Sequence, residues 1–203
     1  MSIRLLAALC VFSFLPFSSL AAPSNEEIPI TVDNFVRAAS DFELGKYESL
    51  AGGVNRFLHF REPTPIAQQS TIRMNRDTLY SAAVVDISEG ATVTLPDAGD
   101  RYMTLMVVNQ DHFINDVFSG GGSYTLDQSK YETPYVLIWA RFLVDATDAE
   151  DVAVVNELQD RMVIEAASAT PFVMPSYDED QYRAMIAAIL NFGPFIPDSS
   201  RMF

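Results

Sequence analysis

The sequence predicts one α+β domain: an antiparallel β-sandwich core with helices flanking it at the N- and C-terminal ends. Three observations carry this reading. Between Thr71 and Asp145 apolar residues alternate with a period of two, interrupted by turn residues. The segments on either side repeat apolar residues at helical spacing, and nowhere do strands and helices alternate as a parallel sheet requires. The chain has 203 residues and 49% hydrophobic content, enough for one core of this kind.

Residues 1–21 stand apart from that domain. Arg4 supplies a minimal positive start, and Leu5 to Phe17 are apolar except for Ser13 and Pro16. Ser18, Ser19, Ala21 and Ala22 then offer small residues for cleavage. This reads as a secretory signal peptide, too short and too proline-broken to span a membrane. The cut is placed after Ala21, because a cut after Ala22 would leave Pro23 directly beyond it. The mature chain, 22–203, is then expected to be periplasmic or secreted, with no stable membrane anchor. The single cysteine, Cys10, leaves with the signal, so thiolate chemistry and disulfides leave too. Losing Arg4 takes 13 basic residues to 12 against 27 acidic ones, a net charge of −15. Such a surface repels phosphate backbones, so nucleic acid is no partner.

The elements follow in order. Thr31 opens a helical stretch with Val32, Phe35, Val36, Ala39 and Phe42 on its apolar side, expected to end at Gly45. A shorter helical piece precedes Gly52-Gly53. "ATVTLPDAGDRYMTLMVV" reads as strand, turn, strand, with Pro96, Asp97, Gly99 and Asp100 turning the chain. "SGGGS", 119–123, reads as a mobile connection. In "YVLIWARFLVD", Val136, Ile138, Ala140, Phe142 and Val144 form an apolar face, while Tyr135, Trp139, Arg141 and Asp145 point the other way. Thr147 and Glu150 fit a capping box for a helix turning Val152, Val155, Leu158, Met162 and Val163 inward. Ser176 and Glu179 repeat the device before Tyr182, Met185, Ile186, Ile189 and Leu190, with Gly193-Pro194 as the stop.

Several chemistries drop out at this level. His59 and His112 are the only histidines and have no short ligand spacing, so no metal and no cofactor are expected. There is no Gly-x-Ser-x-Gly elbow, dinucleotide fingerprint or phosphate loop. What remains is a polar set at strand ends: Asn75, Arg76, Asp77 and Tyr80; Arg101; Asn109, Asp111 and His112; and Arg141. Each has a structural reading beside the functional one. Arg76 and Asp77 could serve only as partners of neighbours, Arg101 could neutralise Asp100, and Arg141 could snorkel beside Trp139. Together they interrupt strongly apolar strands, where burying them unpaired would be costly, and that favours a site. His112 beside Asp111 has the residue types of a base and its orienter, or it simply caps a turn.

"NRDTLYSAAVVDIS", "LPDAGDRYMTLMVVNQDHF" and "RFLVDATDAEDVAVVNELQ" resemble domain-of-unknown-function family 1254 over roughly residues 30–165, leaving 166–203 as a helical extension. The resemblance implies a β-rich, jelly-roll-like fold, commonly followed in the same chain by a family 1214 domain. It implies Asn75, Arg76, Asp77, Tyr80, Arg101, Tyr102, Asp111 and His112 as motif positions and assigns no reaction. Three functions fit the sequence. The foremost is a binding module for a small polar or anionic ligand, using Asn75, Arg76, Asp77, Tyr80, Arg101, Tyr102, Asn109 and Arg141. The others are a hydrolase-like enzyme using His112 and Asp111, and an assembly domain pairing with a separately encoded family 1214 protein. The apolar tail "NFGPFIPDSSRMF" has two readings: Phe195, Ile196 and Phe203 fold back onto this domain's own core, or the tail is the docking segment for that partner.

Overall fold

The strict alternation in residues 135–144 has its structural counterpart in full burial of Val136, Ile138, Ala140 and Phe142. Around that strand the chain builds an α+β fold with two antiparallel sheets. The structure, a computed structural model, describes residues 27–65, 67 and 75–195. The expected signal peptide, Cys10, and the tail residues Ile196, Met202 and Phe203 lie outside the described residues.

The elements, in chain order, are α1 (Phe35–Ala51), β1 (Leu58–Phe60), β2 (Thr78–Asp86), β3 (Ala91–Leu95), β4 (Met103–Asn109), β5 (Ile114–Ser119), β6 (Gly122–Leu126), α2 (Gln128–Tyr131), β7 (Tyr135–Leu143), α3 (Ala149–Asp160), β8 (Val163–Ala166) and α4 (Glu179–Leu190). A 3-10 turn, Gly193–Phe195, follows. One sheet has the order β1-β2-β7-β4-β5 and the other β6-β3-β8. The strands divide five and three rather than into the equal halves of a jelly roll. Their facing sides, with α3, enclose one core: Leu79, Ala83 and Val85 of β2, Leu105 and Val107 of β4, the inward face of β7, and Val93 and Leu95 of β3. The opposite side of the five-stranded sheet, here the outer face, carries α1 over part of its width through Leu44, Val84, Leu137 and Phe172.

Pro96 to Asp100 turn the chain as expected, but β3 and β4 do not pair; they belong to different sheets. Ser119 to Ser123 make the matching crossing from β5 to β6, and the crossing is tight. Tyr124 Oη donates to the carbonyls of Ser119 and Gly120 at 3.1 and 2.9 Å. A Cβ on Gly121 would lie 2.6 Å from the carbonyl oxygen of Pro96, so only glycine lets the two crossings touch.

Five helical expectations change. α1 runs through Gly45, whose α-hydrogen side faces Met174 and Phe172 at ordinary contact distance, and ends at Gly52 with φ 76°. Its buried positions are Ala38, Ser40, Asp41 and Leu44, whereas Val32 and Val36 face solvent. α3 is capped one residue later than expected, by Asp148, and Thr147 bonds Asp145 instead. α4 is likewise capped by Asp178 rather than Ser176. Val163 leaves the helix altogether: residues 163–166 form β8, paired with β3.

His59 sits on β1 opposite Ser81. The Gln159 side-chain amide donates to Ser81 Oγ at 3.1 Å, so the serine hydroxyl turns its proton toward His59 Nδ1, 2.8 Å away. Nδ1 is then an acceptor and the ring is neutral. Burial first, and the Arg61 guanidinium second, push its pKa down to about 4. The folded state therefore resists protonation that the unfolded chain accepts near pH 6.5. His59 should cost nothing above that pH and about 1–2 kcal/mol as pH falls through 4, after discounting for solvent screening. Urea midpoints between pH 7 and 4 should fall less steeply in His59→Gln than in wild type; equal slopes would remove His59 from the acid sensitivity.

Candidate functional site

The residues singled out in the sequence fall into three places. The first is the β4–β5 hairpin tip. Asn109 Oδ1 accepts from the backbone N–H of Asp111 and Phe113 at 3.1 and 2.9 Å, and its amide donates to the Tyr131 carbonyl. Asn109 thereby shapes a turn in which His112 takes φ 67°, a backbone region that costs a side-chain-bearing residue energy. The turn is pressed onto α1. Asp111 Oδ1 meets Arg37 Nη1 at 2.6 Å, Gln110 Nε2 donates to buried Asp41 at 3.0 Å, and His112 Nδ1 lies 2.9 Å from Ser40 Oγ. Asp111 is thus paired with Arg37, and the ring nitrogen expected to face it is paired with Ser40.

The second place is the outer face of the five-stranded sheet. Tyr80 and Arg141 stand directly opposite each other on β2 and β7, with the guanidinium carbon 5.6 Å from the ring centroid. Trp139, two residues back along β7, meets Tyr80 edge-on at 6.2 Å, Tyr47 of α1 edge-on at 4.8 Å, and Phe60 in parallel at 6.3 Å. Between this face and α1 lies a groove of about 480 Å³, lined by Ser40, Lys46, Tyr47, Met106, His112 and Trp139 among others. Hairpin tip and aromatic face are therefore two walls of one depression. Asn109 and His112 reach it from one side, and Tyr80 and Arg141 continue its floor.

The third place is at the far end of the strands and does not join the groove. Arg101 is held in a two-pronged pair with Asp151, at 2.5 and 3.0 Å, and also donates to the Leu143 carbonyl. That pairing holds the Asp151 carboxyl down at about 2. Asp77 lines the same end, exposed, and Tyr102 is exposed. Asn75 and Arg76 brace the chain locally: Asn75 Oδ1 accepts from the Asp77 N–H at 2.8 Å, and Arg76 Nε donates to the Thr64 carbonyl at 3.0 Å. Of the expected ligand residues, Asn109 lines the groove, and Tyr80 and Arg141 stand one row beyond Trp139 on the same sheet face; Asn75, Arg76, Asp77, Arg101 and Tyr102 lie elsewhere.

Sequence reasoning missed the α1 side entirely. Ser40, Glu43, Lys46 and Tyr47 line the groove wall, and their spacing of three and four is a helical stripe. The stripe is polar, so a search for apolar periodicity passes over it.

Residues 54–131 match the family model described as Protein of unknown function (DUF1254). The resemblance is borne out there. The DUF1254 match takes in the Asn75–Tyr80 run, Arg101, Tyr102 and the hairpin tip, and stops before β7 with Trp139 and Arg141. Among solved structures the chain is similar to the VPA0106 protein from Vibrio parahaemolyticus at 18% identity and a TM-score of 0.49. That similarity covers 70% of this chain and 40% of that one, so this chain spans about two fifths of its length. A search of curated proteins finds no match.

Arg101 is predicted to act through the fold. Arg101→Met should lower stability by about 1–2 kcal/mol at pH 7. Because the Asp151 carboxyl is depressed, the pair contributes above the ordinary carboxylate range near 4 and loses its contribution as pH falls through 2. Urea melts of wild type and mutant should therefore converge at pH 2. A gap that persists there would assign the loss to packing.

Proposed function

We propose that the protein is an exported binding module whose site is the groove between α1 and the outer sheet face, taking a small anionic ligand. Export rests on the signal-like pattern of residues 1–21; among the described residues no helix is long and apolar enough to cross a membrane. The observation that carries the site is the character of the outer face. An antiparallel sheet that turns one side to water ordinarily alternates apolar inward with polar outward. Here the outward positions include Phe60, Trp139, Met106, Val117 and Leu143 beside Tyr80, Thr104 and Ser119, with Phe60, Val117 and Leu143 exposed. In the midst of them stands Arg141, which among the described residues has no carboxylate within ion-pair distance. A guanidinium stacked on an aromatic ring and lacking an acidic partner is suited to an anion.

Trp139 is the only tryptophan in the chain, so its fluorescence reports on this site alone. Titrating the mature protein with small organic anions should change that emission saturably, and Arg141→Met should weaken binding about tenfold or more with a Tm within a few degrees of wild type. Emission that no anion changes would refute the binding reading.

A second reading, docking of a separately encoded family 1214 domain, is favoured by α4. Tyr182 packs on Phe35 and Phe42 of α1, while Ile186, Ile189, Leu190, Phe192 and Phe195 are exposed on the described structure. The mature protein should bind an apolar dye, and Ile189→Glu with Leu190→Glu should reduce the dye signal without lowering Tm. A falling Tm would place the stripe in this protein's own core.

A further inference from the structure

We infer that the anion bound at Arg141 is the head of a linear amphiphile, a medium-chain alkyl carboxylate, whose tail runs along β7 toward α1. This rests on the binding reading above and adds the ligand's shape and class. The register lays out the path. Across the outer face, Leu58, Ala82, Trp139, Met106 and Val117 form one row, and Phe60, Tyr80, Arg141, Thr104 and Ser119 form the next. Beyond Trp139 and Met106 the same face continues through Leu137 and Val108 into the groove beside Leu44. One end of the track is therefore cationic and hydroxyl-bearing, and its sheet floor from Trp139 to Leu137 is apolar or aromatic.

Three features narrow the ligand. The distance from Arg141 to Leu137 is four residues of strand, about 13 Å, the reach of an extended medium-length alkyl chain. On the sheet side the floor is Met106, Val108, Ile114 and Leu137, which offer no side-chain hydrogen bonds, so a ligand lying against it presents an apolar flank there, while Ser40, Glu43, Lys46 and His112 stand on the other walls. The head is singly charged: one guanidinium forks onto one carboxylate, and a net charge of −14 on the chain penalises a multiply charged anion. Lys46, paired with Glu43 at 3.2 Å and lying over the Tyr47 ring, borders the groove on the α1 side without adding a free cation to the apolar floor.

The test is a homologous series read by Trp139 emission: acetate, butanoate, hexanoate, octanoate and decanoate, against 1-alkanols and alkyl phosphates of matched length. Affinity should rise about two- to fourfold per added methylene, the gain from burying that much apolar surface. It should level off once the track is full. Carboxylates should bind at least tenfold more tightly than alkanols. Arg141→Met should erase that preference while leaving alkanol binding in place, and Arg141→Lys should restore part of it, which separates head recognition from misfolding. Equal affinity for acetate and octanoate would overturn the amphiphile while leaving an anion site. Equal affinity for carboxylate and alkanol, or tighter binding of alkyl phosphates, would overturn the assigned head. No response to any member would overturn both readings.

Discussion

The position of α1, and with it one wall of the groove, depends on the carboxylate of Asp41. This group is almost fully enclosed and accepts from Gln110 Nε2 at 3.0 Å and Tyr177 Oη at 2.9 Å, with Arg37 Nε at 3.4 Å. Those three donors come from three separated parts of the chain: the β4–β5 hairpin tip, the segment leading into α4, and α1 itself. The apolar contact between α1 and the sheet is small, four buried residues with a few half-buried neighbours. A helix held by so little burial would be free to slide; the directional bonds at Asp41 set its register. Burial, and then the Asp41 carboxylate beside it, push the Tyr177 hydroxyl up to about 12, so it remains a donor under any ordinary condition.

A second buried carboxylate does the same work at the other end of the groove side. Burial raises the pKa of Asp86, but hydrogen bonds from Ser168, Ser88 and Thr170 outweigh it and hold the group below the usual carboxylate range. Asp86 Oδ1 takes the N–H and hydroxyl of Ser88, and Oδ2 takes the Thr170 N–H at 2.8 Å. The end of β2 is thereby tied to the crossover that brings Phe172 over the outer face. Polar interactions thus decide where the second layer lies, while the apolar core decides that the two sheets stack.

How much of this was legible in the sequence follows from which signal each element uses. β7 was readable because alternation and burial coincide residue by residue. The Pro96–Asp100 turn was readable from its residue types, but turn chemistry says only that the chain reverses, not which sheet it joins next. α1 misled because its inward stripe contains Ser40 and Asp41, so its most apolar side is not the buried one. β8 was hidden behind the end of α3: Met162 and Val163 continue a helical pattern until Val163 pairs with Thr94. Among the site residues, Arg141 and Tyr80 were visible as polar or amphipathic groups on an apolar strand pair. Arg101 has the same appearance in sequence, and only the position of Asp151 shows that its charge is already used.

The order of the strands also governs how the molecule comes into being. β2 pairs with β7 across separations that reach Thr78 with Leu143, and β3 waits for β8, pairing Ala91 with Ala166. Neither sheet can close until most of the chain exists, so the loop-closure entropy falls due before the burial that offsets it. Folding on the millisecond-to-second scale is the consequence for such a topology. During that interval β2, whose positions are almost all destined for the interior, has no partner except the three-residue β1. A nascent chain of this design benefits from its strong negative charge, which keeps unfinished copies apart while the central strand is still missing.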